Sequence, residues 1–331
     1  MFIAGDIGGT KTVLALFEQK SGQIHQVRQA VFPSRGHKSL EEIIGNFLVG
    51  ERNLKLDGGC FGVAGAVLGG KCKTTNLPWE LDESKLAEFI QAPFAKLLND
   101  LEAAAFGMLY LKPEELVDLN PNHAPPQKGN IAVIAAGTGL GEAILFWDGK
   151  EYHPSASEGG HSDFAPTNET EIKLLEWLSK SYPEHVSYER ILSGPGVYNL
   201  FRFVTETGQK DASSLIQEKL QSASDPSAIV SQMALSESDP AAVMALDLFA
   251  SIYGAECGNM ALKCLSTGGV YIGGGIAPKI LSILKSGKFM QGFTSKGRFK
   301  PLMNNLRIQV ALNSEAPLIG AANYAARMIG K

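Results

Sequence analysis

Short apolar runs alternate with amphipathic stretches through the first hundred residues. Apolar residues 2–4 and 13–17 flank Gly5-Asp6-Ile7-Gly8-Gly9-Thr10-Lys11, a pattern that predicts a β-hairpin with a glycine-rich tip. Residues 25–31 read as a third strand. Leu40, Ile43, Ile44, Phe47 and Leu48 recur at the spacing of one helix face. Residues 60–64 and 95–98 are short, unbroken apolar runs, suited to parallel strands buried on both sides, with a helix over 83–90 between them. The alternation argues for an α/β lobe around a central sheet.

Residues 113–127 are polar and proline-rich, so a domain boundary is expected near residue 110. Beyond it, 131–136 read as a strand that runs into a second glycine turn, Gly137-Thr138-Gly139-Leu140-Gly141. Helical patterns follow over 170–182 and 212–220, and a long one starts at Asp239-Pro240, an N-cap with proline at the first helical position, and runs to about 265. Residues 270–272 form an apolar run ending in Gly273-Gly274-Gly275, and a last helix over 317–328 is expected to return to the first lobe. A chain of 331 residues exceeds one hydrophobic core. We therefore expect two domains, 1–110 with about 312–331 and 111–311, and a cleft between them.

Composition narrows the function classes. Hydrophobic residues at 44% and charged residues at 19% describe an ordinary globular chain. A formal charge of −4, without a dense Lys/Arg run, offers no basic field, so nucleic acid is not an expected partner. No stretch carries some 20 uncharged apolar residues, so a membrane is not expected either. Cys60, Cys72, Cys257 and Cys264 are scattered without a CxxC pair and read as buried thiols in a reducing compartment, the cytoplasm.

The two glycine turns carry the first chemistry. The backbone N–H groups of such a turn can face an anion, and glycine lets them come close. The first turn is not a Walker loop, because Thr10 separates Gly9 from Lys11. The second is not a dinucleotide fingerprint, because Glu142 stands where a third glycine is needed. Each alone could be a plain tight hairpin; together they suggest a nucleotide held for phosphoryl transfer.

Asn99-Asp100 ends the apolar run 95–98, where a carboxylate could take the proton of an attacking sugar hydroxyl. The same pair could simply cap a helix beginning at 101. Glu158-Gly159-Gly160-His161 joins a carboxylate and an imidazole through two flexible residues, a pairing that suits a polyhydroxylated ligand. Glu189, before Arg190-Ile191-Leu192-Ser193-Gly194-Pro195-Gly196, reads on its own as a solvated residue.

In this order, these segments resemble the bacterial-type glucokinases of the hexokinase, Hsp70 and actin superfamily, almost from end to end. Also matching are Asp163-Phe164-Ala165-Pro166, Gly273-Gly274-Gly275-Ile276, Lys296-Gly297-Arg298-Phe299 and Pro317-Leu318-Ile319-Gly320. The resemblance implies a two-lobed, actin-like ATPase fold of ribonuclease H type, with an interdomain cleft. It implies ATP-dependent phosphorylation of glucose at its 6-hydroxyl, Asp100 being the general base and Asn99, Glu158, His161 and Glu189 grasping the sugar. Gly5, Asp6, Ile7, Gly8, Gly9 and Thr10, with Gly137, Thr138 and Gly139, would hold the phosphates; Gly274 and Gly275 would lie by the adenosine. Asp6 would organise Mg²⁺ through water, and a homodimer is the family expectation. The alternatives are a broader hexose kinase acting on mannose, glucosamine or fructose, and a sugar sensor without turnover.

Overall fold

The computed structural model describes residues 1–51 and 54–330. Arg52, Asn53 and Lys331, which fall inside the expected first domain, lie outside the described residues. The chain divides into two units, Met1–Glu115 with Tyr152–Ala156 and Asn313–Lys331, and Leu116–Glu151 with Ser157–Leu312.

In the first unit, β1 (Phe2–Ile7), β2 (Lys11–Lys20), β3 (Gln23–Pro33), β4 (Gly59–Val63) and β8 (Ala95–Asn99) build a sheet in the order β3-β2-β1-β4-β8. The intervening β5 (Val67–Leu68), β6 (Lys71–Lys73) and β7 (Glu80–Asp82) form a small sheet of their own. β1, β4 and β8 are parallel, and β1 pairs antiparallel with β2. The strands read as continuous apolar runs because both faces are covered. Ile3, Ile7, Leu14, Leu16, Phe61 and Val63 pack with Ile43, Ile44 and Phe47 of the helix Leu40–Leu48. Their neighbours Phe2, Ala4, Val13, Ala15 and Cys60 pack on the other side with Ala103, Leu318, Ala321 and Ala325. That second layer consists of the helices Asp100–Met108 and Ala316–Ile329.

The hairpin tip is shorter than its sequence suggests. Ile7 pairs with Thr12, so Gly5, Asp6 and Ile7 belong to β1, and only Gly8, Gly9 and Thr10 make the turn. The helix expected over 83–90 is Glu83–Phe89, capped by Asp82, which accepts from the N–H of Ser84.

In the second unit, the polar segment after residue 113 was expected to be only a connector. It holds a strand, β9 (Leu116–Asp118), because Leu116 and Val117 pair with the edge of a sheet. That sheet adds β10 (Ile131–Ala136), β11 (Leu140–Trp147), β13 (Gly269–Gly273) and β14 (Ile308–Ala311), in the order β11-β10-β13-β14-β9, whereas β12 (Tyr152–Ser157) falls almost wholly in the first unit. Around its centre pack the helices Gly194–Glu206, Pro226–Leu235 and Pro240–Lys263. Asp239 caps the long helix through the N–H of Ala242 at 2.8 Å and also accepts from Ser213 N at 2.7 Å. Pro240–Lys263 is long and apolar enough by composition to cross a membrane, but most of it is buried in this core, as Leu246, Phe249, Tyr253 and Cys257 show. All four cysteines are free and buried.

Candidate active site

Parallel strands in an α/β sheet present their C-terminal ends to ligands. In the first unit Ile7, Val63 and Asn99 end β1, β4 and β8 in register. Asp6 lies one residue back from that edge, beside Gly62, and Asp100 follows immediately as the first residue of the helix Asp100–Met108. Gly62 leaves room where a side chain would crowd Ala103, its added Cβ lying 2.7 Å from that of Ala103. Burial and the neighbouring charge of Asp100 push the Asp6 carboxyl up to about 6, with Lys11 pulling the other way.

Asn99 is the N-cap of this helix, so the capping alternative is realised for that residue. Its Oδ1 accepts from Leu101 N at 2.8 Å, its Nδ2 donates to the carbonyl of Gly65 at 3.2 Å, and Glu102 completes a capping box by accepting from Asn99 N at 2.9 Å. Asp100 is thereby placed at the positive end of the helix dipole. Beside this edge, the turn at Gly8–Thr10 is braced by Ser34, whose Oγ donates to Gly8 O at 2.7 Å and whose N–H donates to Thr10 O at 2.9 Å.

In the second unit the Gly137–Gly139 turn joins β10 to β11. Gly137 N donates to Gly139 O at 2.8 Å, and Gly194 N donates to Gly137 O at 2.8 Å, which ties the turn to the start of the helix Gly194–Glu206. Glu189 closes it from the other side, with Oε2 accepting from Leu140 N at 2.9 Å. A side chain at Gly139 would collide with that carboxylate. Gly274 follows β13 with φ +80°, a left-handed conformation, and a Cβ there would strike the carbonyl of Ala136 at the end of β10. Gly275 faces open space. An apolar cavity of about 540 Å³ is lined by Gly194, Val197, Gln232, Leu235, Ile276 and Ile280, of which Gly194 is bonded to Gly137 and Ile276 follows Gly275.

Glu158 and His161 are exposed, Glu158 just before the short turn Gly159–His161 and His161 at its end. That turn is joined to the one at Tyr188–Arg190, which carries Glu189, by a bridge between Asp163 and Ser187 and by Tyr188 N donating to Ser162 O at 3.1 Å. Glu158, His161 and Glu189 therefore share one neighbourhood, with Thr138 and Gly139 beside Glu189. Within the first unit, Asp6, Asn99 and Asp100 share another.

The glucokinase family model matches residues 3–328. The chain belongs to the glucokinase family. A glucokinase from Synechocystis sp. is 40% identical, with 98% of each chain covered, and one from Nostoc sp. is 39% identical, with 99% of each covered. The crystal structure of a glucokinase from an Antarctic psychrotroph superposes with a TM-score of 0.84 at 29% identity over 98% of both chains. The expected fold class holds, and glucokinase activity, ATP-dependent phosphorylation of glucose, is the function of the chain.

Two features next to these residues escaped the sequence reading. The helix Pro226–Leu235, which walls the apolar cavity, begins with Asp225-Pro226 and carries the same N-cap and proline signal as Asp239-Pro240. Glu142, fully buried behind the second glycine turn, was legible only as a departure from the dinucleotide fingerprint.

Proposed function

We propose that the first unit of this glucokinase supplies the base and the second supplies the nucleotide site and most of the sugar contacts. Asp100 accepts the proton of the glucose 6-hydroxyl as that oxygen bonds to the γ-phosphorus and the bond to the bridging β,γ-oxygen breaks, leaving ADP and glucose 6-phosphate. Asn99, Glu158, His161 and Glu189 hold the remaining hydroxyls. The Gly8–Thr10 and Gly137–Gly139 turns take the phosphates, and the apolar cavity beside Gly274 and Gly275 takes the adenosine. The placement of Asp6 and Asp100 at one sheet edge carries this reading, and burial together with the charge of Asp100 raises the proton affinity of Asp6.

That donor set fits a divalent cation, which would relieve the repulsion. Asp6 would hold Mg²⁺ through water, and the ion, when bound, neutralises charge on the β- and γ-phosphates. Free, buried cysteines fit a reducing compartment, and we place the protein in the cytoplasm.

The test is formation of the 6-phosphate from ATP with glucose, mannose, fructose and glucosamine, alongside E158A and H161A. Glucose should give the highest kcat/KM. Each variant should raise the glucose KM by roughly tenfold or more, as expected for a lost hydrogen-bond partner. An unchanged glucose KM in both variants would remove these side chains from sugar binding.

A further inference from the structure

Glu142 takes no part in the chemistry above. It lies on β11 opposite Ile134, wholly out of solvent, and neither carboxyl oxygen has a hydrogen-bond donor among the described residues. An ionised carboxylate in that position would forfeit its hydration for nothing.

Its neighbour is Glu256 on the helix Pro240–Lys263, also wholly buried and close enough for a hydrogen bond once one of the two carries a proton. The partners are divided unequally. Glu256 accepts from Asn259 Nδ2 at 2.8 Å, and Lys263 Nζ stands 3.5 Å from its other oxygen. Asn259 is in turn held by Lys296, whose Nζ donates to its Oδ1 at 2.6 Å and to Ala255 O at 2.9 Å. Tyr188, from the turn at Tyr188–Arg190, accepts at 3.1 Å from Asn259. Glu171, Tyr253 and Cys257 are the other titratable groups that act on this cluster. The stabilised negative charge belongs on Glu256, and the proton on Glu142.

On its other side Glu142 supports a functional turn. A Cβ at Gly159 would collide with Glu142 Oε2, so the backbone at the start of Gly159–His161 rests directly on this carboxyl.

We infer that Glu142 is a positioning residue that shares one proton with Glu256 and, through Gly159, seats the turn carrying Glu158 and His161 for sugar binding. The inference rests on the sugar-binding reading of those two side chains. Burial and the charge of Glu256 push Glu142 up to about 8, with Lys263 only partly offsetting them. Above that pH the cluster would hold two like charges, and Gly159 would lose its seat.

The test measures the glucose KM of wild type, E142Q and E142L between pH 6.5 and 9.5, with difference infrared spectra recorded on the same proteins without substrate. In wild type the glucose KM should rise above about pH 8, approaching tenfold per pH unit as the competent fraction falls. E142Q keeps a neutral hydrogen-bonding group and should hold a flat profile with a neutral-pH KM close to wild type. E142L cannot titrate and should also be flat, whatever its KM at neutral pH. The carbonyl band of a buried carboxylic acid should be present in wild type, bleach as the pH passes about 8, and be missing from E142Q. Absence of that band, or the same alkaline rise in wild type and E142Q, would overturn the inference. Failure of the sugar reading is seen separately, as an unchanged glucose KM in E158A and H161A while the infrared band still titrates.

Discussion

Replacing Asp100 by Asn removes the proposed base while preserving the shape of the helix start. A positioned general base contributes about 10²- to 10⁴-fold to rate, or roughly 3 to 5 kcal/mol of barrier. Two smaller effects act on stability in opposite directions. Loss of a negative charge at the N-terminus of Asp100–Met108 costs about 0.3 to 1 kcal/mol, and removal of the repulsion with Asp6 returns a comparable amount. Tm should therefore move by a few degrees at most. The bonds made by Asn99 and Glu102 at the cap are untouched, and the one from Leu101 N to Asp100 Oδ1 at 2.9 Å can pass to the amide oxygen of asparagine. Glucose 6-phosphate formation should fall at least a hundredfold in kcat, while calorimetry finds glucose binding within a few-fold of wild type. Carboxyl NMR on metal-free protein adds a check on the geometry, because Asp6 should titrate below its wild-type value of about 6 once its neighbour is neutral. A kcat within threefold of wild type would show that the hydroxyl proton goes elsewhere, and an unmoved Asp6 would show that the two carboxyls do not face each other.

Gly274→Ala places a side chain at φ +80° against the Ala136 carbonyl, so it should cost at least about 1 to 2 kcal/mol in denaturant unfolding and raise the ATP KM more than the glucose KM. Glu189→Ala leaves the Leu140 N–H without its acceptor and removes a proposed sugar contact, so both KM values should rise in steady-state kinetics; a change in the glucose KM alone would mean that the turn does not depend on Glu189. Chelation of divalent metal should abolish turnover and leave glucose binding by calorimetry intact, with activity restored by added Mg²⁺. Native Glu142 keeps its proton to about pH 8, whereas an unfolded glutamate releases it near 4.5, so the native state binds more protons across that window and stability falls as pH rises through it. Thermal melts should therefore show E142Q gaining on wild type up to about pH 8, by a few kcal/mol at most, with the difference closing towards pH 4.5.

Much of the scaffold could be read from hydrophobic pattern because long elements carry strong periods. Residues 40–48 form a helix with its apolar residues on one face, and Asp239-Pro240 marked the start of the long core helix. The small sheet Val67–Leu68, Lys71–Lys73 and Glu80–Asp82 has strands too short to show alternation, and β9 was hidden in a polar segment. At the site, residue order pointed to Asp100, Glu158 and His161, but sequence distance conceals packing. Only the fold shows that a Glu189 oxygen is used by the Leu140 N–H, or that the apolar cavity draws its wall from segments near 197, 232 and 276. Glu142 looked like a misplaced glycine; its pairing with Glu256, more than a hundred residues away, exists only once β11 and the long helix have packed.

The helix that starts with Asp100 lies against Ala316–Ile329 at two glycines, each too close for any side chain: a Cβ on Gly107 would strike the Ala316 carbonyl, and one on Gly320 the Ala103 carbonyl. Order of synthesis then matters. On the ribosome Asp100 emerges early, but the partner that clamps its helix comes only after the whole of Leu116–Glu151 and Ser157–Leu312, on the order of ten to forty seconds later at ordinary elongation rates. The second unit can fold while the chain is still growing, whereas Asp100 waits for its last helix. A nascent chain halted before Ala316 should thus be able to fold around the second sheet while its proposed catalytic carboxylate sits on an unclamped helix, which couples the onset of phosphoryl transfer to late synthesis.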